Sequence, residues 1–110
     1  MREIRTDEFQ QEVIKSIGPV AVIFTAPWCS FCDSMMKIAE AVEKELPDAK
    51  IFKIDVGLER ELAAKYTVST VPATIIFSAG TIKERKTGLL KKSELFTMLS
   101  KAPVRKETHR

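Results

Sequence analysis

The chain is poor in the residues that most directly announce chemistry. In 110 residues it has two cysteines, one histidine, one tryptophan and four glycines. The histidine, His109, stands next to the last residue. A structural zinc site takes four ligands, so two cysteines and one terminal histidine leave a single chain short. Only a site shared between two chains would complete the set. No apolar run approaches the length that spans a bilayer, which excludes a transmembrane helix and predicts no membrane partner. The start, "MREIRTDEFQQ", lacks the apolar stretch of a secretory signal. A cytoplasmic protein is expected on that ground, and in reducing cytosol a lasting structural disulfide is not.

Excess charge is missing as well. The net charge of +3 is matched by residues 101–110, where Lys101, Arg105, Lys106 and Arg110 face only Glu107. The first hundred residues are balanced. The basic character thus belongs to a tail, expected to be disordered, and not to a folded nucleic-acid-binding face. What remains is 45% apolar and 30% charged, the balance of one small globular domain, expected over residues 1–100 as a monomer.

Periodicity predicts the elements. Arg2–Arg5 suits a short edge strand. Thr6 is a candidate N-cap, with Phe9, Val13, Ile14 and Ile17 at helical spacing after it. "VAVIF" at 20–24 is a continuous apolar run, as in a strand covered on both faces. A long helix is predicted from about Cys29 to Leu46, with Met35, Met36, Ala39, Val42 and Leu46 as its apolar stripe and Pro47 as its stop. "AKIFKIDV" at 49–56 is a second buried strand and "LERELAAKY" at 58–66 a short helix. "PATIIFS" at 72–78 and "TIKERKT" at 81–87 flank a turn at Ala79-Gly80. Gly88 breaks the last strand, and Ser93 is the candidate cap of a final helix carrying Leu95, Phe96 and Leu99. Parallel strands joined by helices and then a hairpin imply an α/β fold, a mixed sheet between helical layers.

The chain's two cysteines fall together in "APWCSFCD", residues 26–33, directly after its single tryptophan, Trp28. A redox dithiol, half of a metal site and two small core residues all remain open. The location is informative. A strand ends here and a helix begins, at the sheet edge where open α/β folds place their chemistry. Helix N-termini stabilise a thiolate and lower its pKa. Cys29, at or near the N-cap, gains most and is the more exposed; Cys32, one turn on, lies beneath it. The outer thiol is placed to attack a disulfide and the inner one to resolve the product.

"FTAPWCSFCD" at 24–33, followed by "TVPAT" at 70–74, resembles the thioredoxin family. The resemblance covers about residues 2–100. It includes "KID" at 53–55, "KYTVSTVP" at 65–72, Gly80, and "TGLLKKSEL" around Gly88; "FTAPWC" is also similar to the catalytic domains of protein disulfide isomerases. The resemblance implies the thioredoxin fold and a thiol–disulfide oxidoreductase with Cys29 as nucleophile and Cys32 as resolving thiol. It implies no cofactor beyond the redox-active disulfide, protein disulfides as substrates, and a thioredoxin reductase or small thiol as reductant. Val71-Pro72 would match the family's cis-proline loop facing the dithiol, and Trp28 would flank the site as an apolar wall or pack in the core. The alternative from another class is a thioredoxin-fold adaptor, or a two-chain metal-bridging protein, whose cysteines do not turn over.

The chain also departs from the family. Ser30-Phe31 replaces the usual Gly-Pro, freeing an N–H that would favour the reduced form and a more oxidising couple. Ile23 stands where a buried carboxylate is usual, so the expected proton acceptor for Cys32 is missing. Lys53 keeps the position of that carboxylate's lysine partner. Asp33 follows Cys32 where a basic residue is usual, and Lys37 replaces a helix-kinking proline.

Overall fold

The computed structural model describes residues 1–102. Its elements run β1 (Arg2–Glu3), α1 (Thr6–Phe9), a π-helical turn (Gln10–Ile14), β2 (Val20–Thr25), α2 (Ser30–Glu45), β3 (Lys50–Asp55), α3 (Arg60–Lys65), β4 (Ala73–Ser78), β5 (Thr81–Thr87) and α4 (Lys92–Lys101). The five strands form one sheet in the order β1-β3-β2-β4-β5. β1, β3 and β2 are parallel, and β4 and β5 antiparallel. This is the mixed sheet with flanking helices that the resemblance implied. The predicted tail lies, from residue 103 on, outside the described residues.

β2 is central because it is apolar on both sides. Val20, Val22 and Phe24 join Phe9, Leu62 and Phe77 in one core. Ala21 and Ile23 point the other way and pack with Met35, Ala39 and Leu95 in a second core beneath α2 and α4. The two-residue alternation of a strand thus divides one apolar run between two layers. α2 is continuous for 16 residues, consistent with Lys37 in place of a proline. Met98, absent from the predicted stripe of α4, is buried there.

β4 was expected to continue the parallel, helix-connected pattern. It runs antiparallel to β2 instead, with Ala73 opposite Phe24. The six residues of α3 rise only about 9 Å, less than half the length of a six-residue strand. The helix does not return the chain to the start of the sheet, so β4 sets off from the edge where β2 and β3 end.

Three local expectations also fail. Thr6 does not cap α1. The cap is Arg5, whose N–H donates to the Glu8 carboxylate at 3.0 Å, while Thr6 donates its N–H and hydroxyl to Glu59 at 2.9 and 2.8 Å. Ser93 does not cap α4. Lys91 does, its N–H donating to Glu94 at 3.0 Å. Ile17 is 54% exposed, because the Lys15 N–H reaches back to Gln10 at 3.0 Å. That wider turn ends the helical register before Ile17.

The β4–β5 turn places Ala79 at φ 53° and Gly80 at φ 83°, as a two-residue hairpin turn of type I′ demands. Gly80 is required twice over. Its φ is left-handed, and a Cβ there would lie 3.1 Å from the Ile14 carbonyl oxygen. Ala79 has no such freedom, and the left-handed region costs an L-residue about 1–2 kcal/mol. Ala79→Asn is therefore expected to stabilise the protein by roughly 0.5–1 kcal/mol, and Gly80→Ala to destabilise it by more than about 1 kcal/mol. Urea denaturation of both variants checks the pair; shifts of the same sign would contradict it.

Candidate functional site

The two thiols meet where β2 hands over to α2. Cys29 is the N-cap of α2, with extended backbone at φ −107° and ψ 111°. The Cys32 N–H donates to Cys29 Sγ at 3.2 Å. Cys29 is half-buried and Cys32 is 1% exposed, so the predicted outer and inner thiols are found. Both are free thiols. The N–H and the positive end of α2 are aimed at Cys29 Sγ, where they favour negative charge as it forms. The donor to that sulfur is Cys32's N–H, not one freed by Ser30-Phe31.

The Val71-Pro72 bond is cis. Cys29 Sγ–H donates to the Val71 carbonyl at 3.7 Å, so the structure brings together three of the residues singled out in the sequence. Two more stand around them at the surface. Trp28 is 78% exposed and Phe31 64% exposed, so Trp28 is not a core residue. Ser30 and Asp33 are exposed on the first turn of α2.

Ile23 is fully buried, on the face that α2 covers. Its neighbours across the sheet are Lys53 and Thr74. Thr74 is fully buried and its hydroxyl has no hydrogen-bond partner. Lys53 is half-buried and forms no ion pair among the described residues. One rung of the sheet thus holds a lysine, the sec-butyl side chain of Ile23 and an unpartnered hydroxyl in a row. One rung on, Thr25 pairs with Asp55. Thr25, Asp33, Met36, Lys53 and Asp55 line a cavity of about 170 Å³ between the end of β2, the first turns of α2 and β3. Thr25 and Thr74 were missed in the sequence. The signal was faint: each is a threonine at the end of an apolar strand, on the face that α2 covers.

Burial pushes the Cys32 thiol above its ordinary 9.0. The hydrogen bond that the protonated Cys32 makes to Cys29 and the charge of Cys29 act in the same direction, against the Thr25 hydroxyl and the Ala26 backbone. Among the described residues no group of three or more His, Cys, Asp or Glu could hold a metal ion, and no helix is long and apolar enough to cross a membrane.

The thioredoxin family model matches residues 1–101. The chain belongs to the thioredoxin family. It is 34% identical to a thioredoxin of Rickettsia bellii over 84% of this chain and 89% of that one. It is 37% identical to a thioredoxin of Chlamydia trachomatis over 76% and 82%, and 32% identical to one of Porphyra purpurea over 90% and 94%. With Cys29 and Cys32 in the CxxC position, the protein is a thiol–disulfide oxidoreductase acting on protein disulfides.

The Cys32 environment has a consequence for stability. A thiol raised by folding keeps its proton in the native chain at a pH where the unfolded chain has lost it. Its contribution is full below 9.0 and is lost as pH rises through the native value. Tyr66, also raised by burial, is common to wild type and Cys32→Ser and cancels between them. The stability of the reduced wild type should therefore fall relative to Cys32→Ser as pH climbs past about 9. Denaturant midpoints across that range test it; parallel profiles would show that Cys32 titrates as in the unfolded chain.

Proposed function

We propose that the protein is a cytoplasmic disulfide reductase in which Cys29 attacks and Cys32 resolves. The observation that carries this reading is the unequal pair: Cys29 half-exposed at the helix start, Cys32 buried directly beneath it. The Cys29 thiolate attacks one sulfur of a protein disulfide. That S–S bond breaks, a mixed disulfide forms, and the departing thiolate takes up a proton. Cys32 then loses its proton and attacks Cys29 Sγ, forming the internal disulfide and expelling the second substrate thiolate. The substrate gains two electrons, and a thioredoxin reductase or a small thiol returns two to the protein. No bound cofactor takes part.

Substrate contact falls to Trp28, Val71 and Pro72. An extended segment pairs with the backbone of Val71 in the manner of an added strand, while Trp28 offers an apolar wall. Phe31 adds a second aromatic surface beside Cys29 that the family's usual dipeptide lacks. The protein works as a monomer, without nucleic acid or membrane. A metal bridged between two chains would need both thiols at the surface, and Cys32 is buried. An adaptor without turnover would leave insulin reduction by dithiothreitol at its uncatalysed rate; a clear acceleration is expected.

Nucleophile order is directly testable. Cys32→Ser should accumulate mixed disulfides through Cys29, and Cys29→Ser few. Equal trapping by the two variants, or trapping through Cys32, would overturn the assignment.

Ile23 sets the second step. A buried thiol resists ionisation, Cys32 is raised by burial, and no carboxylate occupies position 23. Release of reduced substrate should be slow near neutral pH and accelerate with pH until Cys32 titrates. Ile23→Asp should speed it roughly a hundredfold near neutral pH, the low end of what a positioned base contributes. The new carboxylate would stand between Lys53 and the unpartnered Thr74 hydroxyl. Burial should still cost stability, on the order of 1–3 kcal/mol. Single-turnover decay of a preformed Cys29 mixed disulfide, followed against pH, decides this. Unchanged decay in the variant would mean that another group already serves as base.

A further inference from the structure

The segment that faces Cys29 leaves α3 through a strained turn. Thr67 has φ 57°, and for a β-branched residue the left-handed region is an outlier. The Thr67 N–H donates to Ala64 O at 3.1 Å and the Val68 N–H to Ala63 O at 2.8 Å. These two bonds are a Schellman motif, whose left-handed position is usually glycine. Such strain persists only where its surroundings over-determine it, and it clusters at functional sites.

Arg85, on the edge strand β5, supplies that constraint. Its guanidinium donates to the Tyr66 carbonyl at 2.7 Å and to the Thr67 carbonyl at 3.4 Å. The Tyr66 ring is fixed separately, 5.5 Å from both Phe9 and Phe77. Lys65, the other cation at this helix end, stands over the Tyr66 ring and leaves the carbonyls to Arg85. At the far end of the segment the Gly88 N–H, just past β5, donates to the Pro72 carbonyl at 2.7 Å. β5 and its exit therefore hold residues 67–72 at both ends, with the Val71 carbonyl presented to Cys29 Sγ between them. A solvated edge-strand arginine has no need of two backbone acceptors on another element.

We infer that Arg85 is a positioning residue for substrate. By clamping the left-handed turn at Thr67 it fixes the backbone of Val71 for pairing with an extended disulfide-bearing peptide. This rests on the reading that substrates pair at Val71 and react at Cys29. Arg85 touches neither substrate nor sulfur. Its loss frees the turn to relax, and the edge offered by Val71 is then presented only part of the time.

The test is steady-state reduction of an extended peptide disulfide by the wild type, Arg85→Ala, Arg85→Lys and the double variant Arg85→Ala/Thr67→Gly. Alkylation of Cys29 by iodoacetamide runs in parallel. Arg85→Ala should raise KM about tenfold, the loss expected for a charge-assisted hydrogen bond, with kcat and the alkylation rate unchanged. Arg85→Lys, which cannot fork, should fall between. Thr67→Gly removes the left-handed cost, so the double variant should recover most of the wild-type KM. Unchanged KM in Arg85→Ala, equal losses in KM, kcat and alkylation, or no recovery in the double variant would each overturn the inference. If the wild type itself fails to turn the peptide over through Cys29, it is the underlying reading that fails.

Discussion

The hydrogen bond from the Cys32 N–H to Cys29 Sγ, at 3.2 Å, exists only because everything behind it is fixed. Cys29 must be the N-cap of α2, so α2 must begin one residue later. The helix is held in that register by Met35, Ala39 and Val42, which pack on the Ala21 and Ile23 side of β2. β2 in turn is held from both faces and by neighbours on both edges. A slip of one residue in β2 would exchange its two faces and carry the thiols away from Val71. The apolar run at 20–24 thus does more than fill a core: it sets where the sulfur points.

The same packing explains how the chain accommodates Ile23. A carboxylate at that rung would have to be desolvated and then partnered; an isoleucine packs into the α2-side core at no such cost. Its polar neighbours keep their chemistry. Lys53 stands half-buried with no ion pair among the described residues, and the Thr74 hydroxyl is buried with no partner. A buried hydroxyl without a hydrogen bond costs about 1–3 kcal/mol. The rung therefore combines an apolar centre with flanks that still suit a charged one. No carboxylate stands at position 23 to take a proton from Cys32.

Elements with one dominant signal were legible in the sequence. The apolar run of β2, the stripe and proline stop of α2, the Ala79-Gly80 turn and the cysteine pair at a strand-to-helix junction all appear in the structure as read. The unequal burial of Cys29 and Cys32 followed from their place on one helical turn. The caps were misread because two candidates competed. At Thr6 and Ser93 a hydroxyl looked like the cap, but Glu8 and Glu94 satisfy the backbone N–H of Arg5, one residue before Thr6, and of Lys91, two before Ser93. Ile17 failed because a π-turn adds a residue that periodicity does not count. The direction of β4 depended on how far α3 could carry the chain. Thr67, Thr74 and Arg85 were out of reach for a different reason: a φ angle, an unpartnered hydroxyl and a contact 19 residues apart leave no local pattern.

The edge of the sheet shows how one strand meets two demands. An exposed edge invites pairing with other chains unless charge blunts it, and Lys83, Glu84, Arg85 and Lys86 do that along β5. Solvated charges alone would contribute little to stability. Arg85 differs because its acceptors are backbone carbonyls at a helix end, fixed by the Tyr66 ring packed against Phe9 and Phe77. Gly88 differs because its φ of 94°, open only to residues that tolerate the left-handed side, turns its N–H toward Pro72. The strand that carries none of the reacting atoms therefore bounds the loop that faces them. On the role inferred for Arg85, substrate recognition and protection of the sheet edge are coupled through the same few residues, and a change made for one is expected to be felt by the other.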